Sequence, residues 1–276
     1  MQFEIQAHRG ARAFFPENTI PAFCRAAALG VRVIELDLVV SRDEMLVVSH
    51  DPWITGPLCS GPDGMPLDRS AKERHLIYQM DYDEIARFNC GLADPAFPQQ
   101  QSVHAFKPLL SDVFRDVDAS MQADGRCKPI VFNLELKSWP HGDGKLHPSP
   151  DSYAAIVSAL LDSLTMASRV RVQSFDRRLL AAVWRRSPGL CFGLLVDDFN
   201  HFDPFPWEAG FVPAYVNPYF PLLTPELAAE LHEQGVQIIP WTVNREEDML
   251  AMKRMGADGI ITDHPELALQ ISELTA

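Results

Sequence analysis

Eight short runs of apolar, often β-branched residues recur along the chain, separated by segments with helical spacing or by loop residues. These runs are predicted strands at residues 3–8, 33–39, 130–137, 170–175, 191–196, 215–219, 237–243 and 259–262. Strands that alternate with helices favour a parallel sheet, because a parallel connection needs a long crossover. Eight such units in 276 residues predict a (β/α)8 TIM barrel, with an open, doubly wound sheet as the alternative.

The segments between the strands carry helix start and stop signals. Gly30 follows an apolar stripe and is expected to end the first helix in a left-handed conformation. Thr224 followed by Pro225 predicts the cap and first residue of a later helix. Asn244, with Glu247 three residues on, resembles a capping box that opens the next helix. Helices are therefore expected between the strands, as the barrel requires.

One interval interrupts this alternation. A predicted hairpin return at 45–49 follows the second strand, and a proline-rich stretch at about 52–104 comes before helical spacing resumes. A long stretch without periodicity is usually functional or disordered. We therefore expect a single domain over 1–276, with a small insertion after the second strand. The irregular segment 139–150 should overhang the same mouth of the barrel, because βα loops emerge at the carboxyl ends of the strands.

Charged side chains share the inward faces of two strands. Alternation places Glu35 and Asp37 on one face of the second strand, and Asn133, Glu135 and Lys137 on one face of the third. The apolar residues between them face the helices. Three inward carboxylates repel one another and resist dehydration unless a cation or a basic side chain lies between them. The free-energy cost of burying these charged side chains is too large for core packing alone to explain them.

A hard divalent cation would compensate for this repulsion. Ca²⁺ and Mg²⁺ both prefer carboxylate oxygens, so Glu35, Asp37 and Glu135 are the predicted ligands. The alternative is an internal salt-bridge network that these acids form with Lys137 and Arg9.

Two histidines are predicted to act as acid and base. His8 ends the first strand and His50 follows the hairpin return, so both should stand at the same mouth. Arg9 and Lys137 can bind phosphate oxygens. Trp241, near the end of the seventh strand, is predicted to pack against the apolar part of a ligand. The alternatives are ordinary hydrogen-bonded histidines and a core tryptophan.

Composition excludes some partners. The chain carries 24 Lys and Arg against 37 Asp and Glu, a net charge of −13, which argues against nucleic acid and anionic membranes. The sequence has no run of about 18 apolar residues, so insertion into a membrane is not expected. The cysteines are odd in number and scattered, so no disulfide framework or thiolate zinc site is expected, and a reducing compartment is favoured; they are Cys24, Cys59, Cys90, Cys127 and Cys191. We expect a cytoplasmic protein.

Several segments together resemble the glycerophosphodiester phosphodiesterase family. They are AHRGARAFFPENTIPAF (7–23), VIELDLVVSRDEMLVVSHD (33–51), FNLELK (132–137), WTVN (241–244) and GADGIITDHP (256–265). The order of HRG, PENT, E-x-D, HD and E-x-K is specific, whereas each piece alone is weak. The resemblance covers essentially the whole chain.

The resemblance implies a barrel with a small insertion after the second strand and one divalent cation, Ca²⁺ or Mg²⁺. It places the cation at Glu35, Asp37 and Glu135. It further implies His8 and His50 as the catalytic pair, and phosphate contacts at Arg9 and Lys137; these lie at the matching positions of the motifs. The family hydrolyses a glycerophosphodiester, such as glycerophosphocholine, to an alcohol and glycerol 3-phosphate.

Three other functions are compatible with parts of the pattern. A lysophospholipase D would need an apolar track beside the mouth, to which Trp53, Phe97, Phe106 and Trp139 could contribute. A noncatalytic barrel that binds a phosphorylated ligand leaves the histidine pair unexplained. A Schiff-base aldolase or isomerase using Lys137 leaves the three neighbouring acids unexplained.

Overall fold

The predicted strands form the wall of a parallel barrel. The structure is a computed structural model that describes residues 2–68, 75–125, 128–198 and 211–275. A short ninth strand pairs outside this wall. The strands are β1 (Glu4–Ala7), β2 (Val33–Val40), β3 (Leu46–Val48), β4 (Val131–Leu136), β5 (Val170–Ser174), β6 (Cys191–Val196), β7 (Tyr215–Pro218), β8 (Gln237–Ile238) and β9 (Gly259–Thr262). Strand β3 is the predicted hairpin return, and it pairs with β2 in antiparallel register.

The eight wall strands are neighbours in the order β8, β7, β6, β5, β4, β2, β1 and β9. The two ends of this order are joined by backbone hydrogen bonds. The Asp258 amide donates to the Ile238 carbonyl at 2.8 Å, and the Ile261 amide donates to the Pro240 carbonyl at 2.9 Å. The predicted (β/α)8 barrel is confirmed. The predicted strand 237–243 is shorter than expected, because only 237–238 pair as a strand.

The helices surround the wall and begin and end largely where the sequence signals lie. They are α1 (Ile20–Leu29), α2 (Tyr82–Ile85), α3 (Leu110–Ala123), α4 (Pro150–Ser163), α5 (Arg177–Arg186), α6 (Pro225–Glu233), α7 (Glu246–Arg254), α8 (Pro265–Gln270) and α9 (Ser272–Thr275). Gly30 ends α1 with φ +97°, and the Thr224 hydroxyl accepts from the Leu227 amide at the start of α6. Both predicted helix ends are confirmed.

Register between β2 and β4 places the acidic side chains side by side. Glu35 pairs with Asn133, and Asp37 pairs with Glu135. The alternate residues Ile34, Leu36 and Leu38 are fully buried in the core between wall and helices. Since side chains alternate along a strand, the acids point into the barrel at its carboxyl end. The inward direction predicted for Glu35, Asp37 and Glu135 is confirmed.

The insertion lies between β3 and α3 and builds a small apolar cluster against the barrel. It contains α2 and a short 3₁₀ helix at Ile77–Gln79. The cluster is formed by Val39, Val47, Ile54, Cys59, Ile77, Ile85, Phe88 and Cys90. Because Val39 and Val47 belong to β2 and β3, the insertion packs on the strand that carries Glu35 and Asp37 and on its hairpin partner.

A disulfide within the insertion contradicts the expectation from cysteine spacing. Cys59 and Cys90 are bonded, although 31 positions separate them. Ser60 and Asn89 exchange backbone hydrogen bonds of 2.8 and 3.2 Å, which brings the flanking cysteines together. The pair was missed because nothing in the local sequence shows that these two loop segments are neighbours. Cys24 and Cys191 are free thiols, and Cys127 lies outside the described residues.

Breaking this disulfide should destabilise the protein. Closing a loop of this length lowers the entropy of the unfolded chain, so the paired Cys59→Ser and Cys90→Ser change should cost about 3–4 kcal/mol of unfolding free energy. Urea denaturation with and without reductant measures the loss, and the double variant should not respond to reductant. An unchanged midpoint in reduced wild-type protein would contradict the assignment.

Candidate active site

Three buried carboxylates form the centre of the barrel mouth. One oxygen from each of Glu35, Asp37 and Glu135 lies within 4.8 Å of the others. The side chains come from neighbouring strands, and their residues are 1%, 0% and 7% exposed. This oxygen-rich group has the donor chemistry that Ca²⁺ and Mg²⁺ prefer.

Two cationic side chains contact this acidic group. The Lys137 ammonium donates to Glu135 Oε1 at 2.6 Å and lies 2.9 Å from Asp37 Oδ1. Arg9 Nε lies 3.1 Å from Asp37 Oδ2. Arg9 has φ +54°, and its amide donates to Glu35 Oε2 at 3.1 Å. The predicted salt-bridge network is therefore partly present, but three acids face two cations.

The pKa values show where negative charge is compensated. Burial and the nearby carboxylates of Asp37 and Glu135 raise the pKa of Glu35 well above its ordinary value. Burial also raises the pKa of Glu135, against the opposing effect of Lys137. Burial would raise the pKa of Asp37 too, but Lys137 and Arg9 hold it well below its ordinary value. Glu35 thus carries the least compensated charge. A divalent cation fits this group because it would neutralise that charge.

Polar side chains beneath and beside the acids hold them in place. Gln173 Nε2 donates to Glu35 Oε1 at 3.2 Å, and Asn18 Nδ2 donates to Asp37 Oδ2 at 2.8 Å. Gln173 is itself held, since its Oε1 accepts from Asn133 and Asn217 at 3.0 and 2.6 Å. Asn133 therefore belongs to the support of the acids. The roles of Asn18 and Gln173 were not predicted, because each contact joins residues of different elements that are distant in the sequence.

In each of the two predicted catalytic histidines, Nδ1 lies within hydrogen-bonding distance of a carboxylate oxygen. His8 Nδ1 lies 2.7 Å from Asp263 Oδ1, with side chains 13% and 6% exposed. His50 Nδ1 lies 2.9 Å from Asp51 Oδ1, with side chains 38% and 51% exposed. Burial, together with the charge of Arg9, lowers the pKa of His8. A neutral imidazole is what a proton acceptor requires.

Asn244 has a different role from the expected helix cap. The N-cap of α7 is Arg245, which makes no side-chain cap hydrogen bond. Asn244 Nδ2 instead donates to Asp263 Oδ2 at 2.8 Å, and Asn244 Oδ1 accepts from the Asp263 amide at 2.9 Å. The capping-box prediction for Asn244 is wrong because Asp263, at the end of β9, competes successfully for this side chain.

Two adjoining cavities occupy the mouth. The inner cavity, of about 140 Å³, is lined by His8, Arg9, Glu35, His50, Glu135, Lys137, Gln173, Phe175, Leu195, Trp241, Thr242 and Ile261. The outer cavity, of about 450 Å³, shares His50, Glu135 and Lys137 and adds Trp139 and Arg177 among its walls. The structure therefore brings together all the predicted site residues at the inner cavity except Asp37, which is fully buried and forms ion pairs with two of the lining residues, Arg9 and Lys137.

Trp241 forms an aromatic wall of the inner cavity. Its ring lies 5.6 Å from that of Phe175, edge to face, and 5.7 Å from that of Tyr219. Trp241 Nε1 donates to the Asn217 carbonyl at 2.7 Å, so the indole is fixed in place. The tryptophan is half-buried and lines the cavity, whereas Ile239 and Val243 are core residues.

The charge state of Lys137 disfavours Schiff-base chemistry. Burial would lower its pKa, but the carboxylates of Asp37 and Glu135 raise it above the ordinary value. A protonated amine is not a nucleophile. The aldolase or isomerase alternative therefore loses its central group.

The sequence is similar to proteins of one enzyme family. The model of the glycerophosphoryl diester phosphodiesterase family matches residues 8–267. A glycerophosphodiester phosphodiesterase of Caldanaerobacter subterraneus subsp. tengcongensis is 30% identical over 277 residues, covering 98% of both chains.

Solved structures share the fold. A structure from Silicibacter pomeroyi DSS-3, described as a putative glycerophosphoryl diester phosphodiesterase, has a TM-score of 0.83 at 30% identity, over 96% of this chain and 91% of that one. An Oleispira antarctica phosphodiesterase in complex with the product sn-glycerol-3-phosphate has a TM-score of 0.72 at 19% identity, over 96% and 94%.

Proposed function

The chain belongs to the glycerophosphodiester phosphodiesterase family, whose members are phosphoric diester hydrolases, and we propose that it hydrolyses glycerophosphodiesters to an alcohol and glycerol 3-phosphate. One observation carries the proposal: the inner cavity presents His8 and His50 together with Arg9, Lys137 and the acidic group. Two proton-transfer groups, two positively charged side chains and a cluster of carboxylate oxygens that could bind a metal ion suit a small phosphodiester. The product bound in the Oleispira antarctica neighbour supports a substrate of this size.

One divalent cation, Ca²⁺ or Mg²⁺, is proposed as the cofactor. Glu35, Asp37 and Glu135 would hold it, and the raised pKa of Glu35 marks the charge that it would neutralise. When bound, a cation of this type stabilises the negative charge that develops on a phosphoryl oxygen. The remaining steps are made by side chains of this chain.

The histidines move the protons. One histidine takes the proton of the glycerol 2-hydroxyl through Nε2, and that oxygen bonds to phosphorus. The bond from phosphorus to the departing alcohol breaks, and the other histidine gives this alcohol its proton. A cyclic glycerol phosphate results, which water opens to glycerol 3-phosphate as the two histidines exchange roles. His8 and His50 suit these roles because Nδ1 of each is bound to a carboxylate.

Arg9 and Lys137 are proposed to bind the phosphate. Both line the inner cavity, and their positive charge would balance the charge that builds up on the phosphoryl oxygens. Trp241 is proposed to pack against the glycerol carbons, since its indole is fixed in the wall of the same cavity. Nucleic acid is not proposed as a partner because the acidic composition opposes it.

A cytoplasmic location remains a prediction. Within the described ranges, no helix has the length and apolar character needed to cross a membrane. The Cys59–Cys90 disulfide removes the argument from scattered cysteines for a reducing compartment, because disulfides persist mainly under oxidising conditions.

A panel of glycerophosphodiesters with choline, ethanolamine, serine or inositol as the alcohol tests the substrate class. We expect glycerol 3-phosphate from at least one member. A substrate without the 2-hydroxyl should not be cleaved at the same rate, because the cyclic phosphate could not form. Binding of glycerophosphodiesters without turnover would instead support the noncatalytic phosphate-binding barrel.

A lysophospholipase D activity is the second candidate. The outer cavity favours it, because Trp139, Phe175 and Leu194 give it an apolar wall beside the acids. Turnover of glycerophosphocholine and of a lysophosphatidylcholine, measured with the same enzyme, separates the two activities. A higher kcat/KM for the lysolipid would favour the second candidate.

A further inference from the structure

We propose that Asp263 is a positioning residue for His8, which it holds in one tautomer, and that Asn244 fixes Asp263 for this purpose. The inference rests on the proposed function, in which His8 transfers protons. Asp263 and Asn244 make no described contact with the acidic group of Glu35, Asp37 and Glu135. Asp263 follows β9, the last strand of the barrel, whereas His8 follows β1 beside it.

The tautomer follows from the hydrogen bonds around the Asp263 carboxylate. Oδ1 lies 2.7 Å from His8 Nδ1 and 3.4 Å from Arg12 Nη1, and Oδ2 accepts from Asn244 Nδ2 at 2.8 Å. Asn244 and Arg12 are donors, as an ionised carboxylate requires. His8 Nδ1 must therefore carry the hydrogen, which leaves Nε2 as the acceptor of the neutral ring, and His8 lines the inner cavity.

Asp263 is held on several sides. Its amide donates to Asn244 Oδ1 at 2.9 Å, and its carbonyl accepts from the Ala13 amide at 3.3 Å. Thr262 Oγ1 donates to the same Asn244 oxygen at 3.3 Å. Asn244 therefore clamps both the backbone and the side chain of Asp263. Such a closed set fixes the imidazole ring plane as well as the tautomer.

Arg12 links this pair to the phosphate-binding side of the cavity. Arg12 Nη2 lies 2.7 Å from Glu17 Oε2, and Glu17 Oε1 accepts from Arg9 Nη1 at 3.0 Å. Phe97 of the insertion stacks against Arg12, with its ring centre 4.8 Å from the guanidinium carbon. The loop that carries His8 and Arg9 is thereby held from both the barrel and the insertion.

Asp263→Asn tests the proposal with little change of shape. The amide can present its NH₂ group to His8 Nδ1, which would place the ring hydrogen on Nε2 and remove the acceptor. We expect kcat for glycerol 3-phosphate release to fall by about 10²- to 10⁴-fold with KM changed much less, because the proton acceptor is lost while the binding groups stay in place. The matched control is Asp258→Asn, since Asp258 pairs with His232 at 2.9 Å outside the cavity. It should retain wild-type kcat.

A spectroscopic measurement tests the tautomer without reference to activity. Two-dimensional ¹H–¹⁵N spectra of histidine-labelled protein should show neutral His8 with hydrogen on Nδ1 in wild type, and a shift toward the Nε2–H form in Asp263→Asn. His8→Ala identifies the signal. Because the wild-type spectrum alone tests the assignment, poor folding of the variant would not remove the test.

The outcomes separate this inference from the proposed function. Wild-type enzyme that releases glycerol 3-phosphate, with Asp263→Asn equally active, would overturn the positioning role alone. Wild-type His8 in the Nε2–H form would also overturn it. Absence of glycerophosphodiester turnover by wild type, with His8 in the Nδ1–H form, would overturn the proposed function and leave the held tautomer in place.

Discussion

His8→Ala and His50→Ala should each lower kcat for glycerol 3-phosphate release by about 10²- to 10⁴-fold, the usual contribution of general acid–base catalysis. Both rings line the inner cavity, and each has Nδ1 bound to a carboxylate, so the loss would fall on proton transfer. KM should change less, because Arg9 and Lys137 remain to bind the phosphate. Steady-state kinetics on glycerophosphocholine give both constants.

His232→Ala is the matched control for these variants. His232 also pairs with an aspartate but is 43% exposed and lines neither cavity of the mouth. It should retain wild-type kcat, and circular dichroism should show that all three variants fold. Full activity in either His8→Ala or His50→Ala would contradict the assignment of that histidine.

Removal of divalent cations should abolish activity, with a loss of at least about 100-fold, since a catalytic cation contributes several kcal/mol to charge stabilisation. Adding back Ca²⁺ or Mg²⁺ should restore it. Glu35→Gln should resist restoration, because it removes the least compensated of the three carboxylates. Glu247→Gln on α7, outside the cavities, is the control that should be restored like wild type.

Cation binding should also be measurable without turnover. A cation that binds only the folded protein raises its melting temperature as its concentration rises. Wild type and Glu247→Gln should therefore melt at higher temperature with Ca²⁺ or Mg²⁺, whereas Glu35→Gln should respond much less. Equal shifts in all three proteins would place the cation elsewhere.

The raised pKa of Glu35 fixes the sign of the pH dependence. In metal-free protein, folding raises this pKa, so the stability linked to Glu35 is present below its unfolded pKa of about 4.3 and is lost as pH rises through the folded pKa. The amide introduced by Glu35→Gln does not titrate, so wild type should lose stability relative to this variant over the same range. Urea denaturation of both proteins across pH measures the difference. Cation affinity should rise over this range, because binding displaces a proton.

The architecture and the centre of the site were predictable because both depend on periodicity. The alternation of apolar and polar residues along a strand shows which side chains face inward. Parallel neighbours bring their carboxyl ends together, so Glu35, Asp37 and Glu135 lie close to one another as expected. The location of His8 and His50 was predictable for the same reason, since each follows a strand that ends at this mouth.

What the sequence did not show depends on contacts between distant loops. Cys59 and Cys90 meet only because the insertion folds back on itself, and no local signal marks that return. Asn244 has the spacing of a helix cap, but in the closed barrel the end of β9 offers it a stronger set of hydrogen bonds. A role for Asp263 in the site could have been predicted, because it is an acidic residue directly after a strand that ends at the same mouth as the other acids.

The central claim is that this barrel cleaves a glycerophosphodiester with a divalent cation at Glu35, Asp37 and Glu135. The most direct test follows release of choline and glycerol 3-phosphate from glycerophosphocholine by wild-type protein, with Ca²⁺ or Mg²⁺ and with excess chelator. We expect equal amounts of both products with cation and none with chelator. Unchanged release in chelator, or release of phosphocholine with glycerol, would contradict the claim.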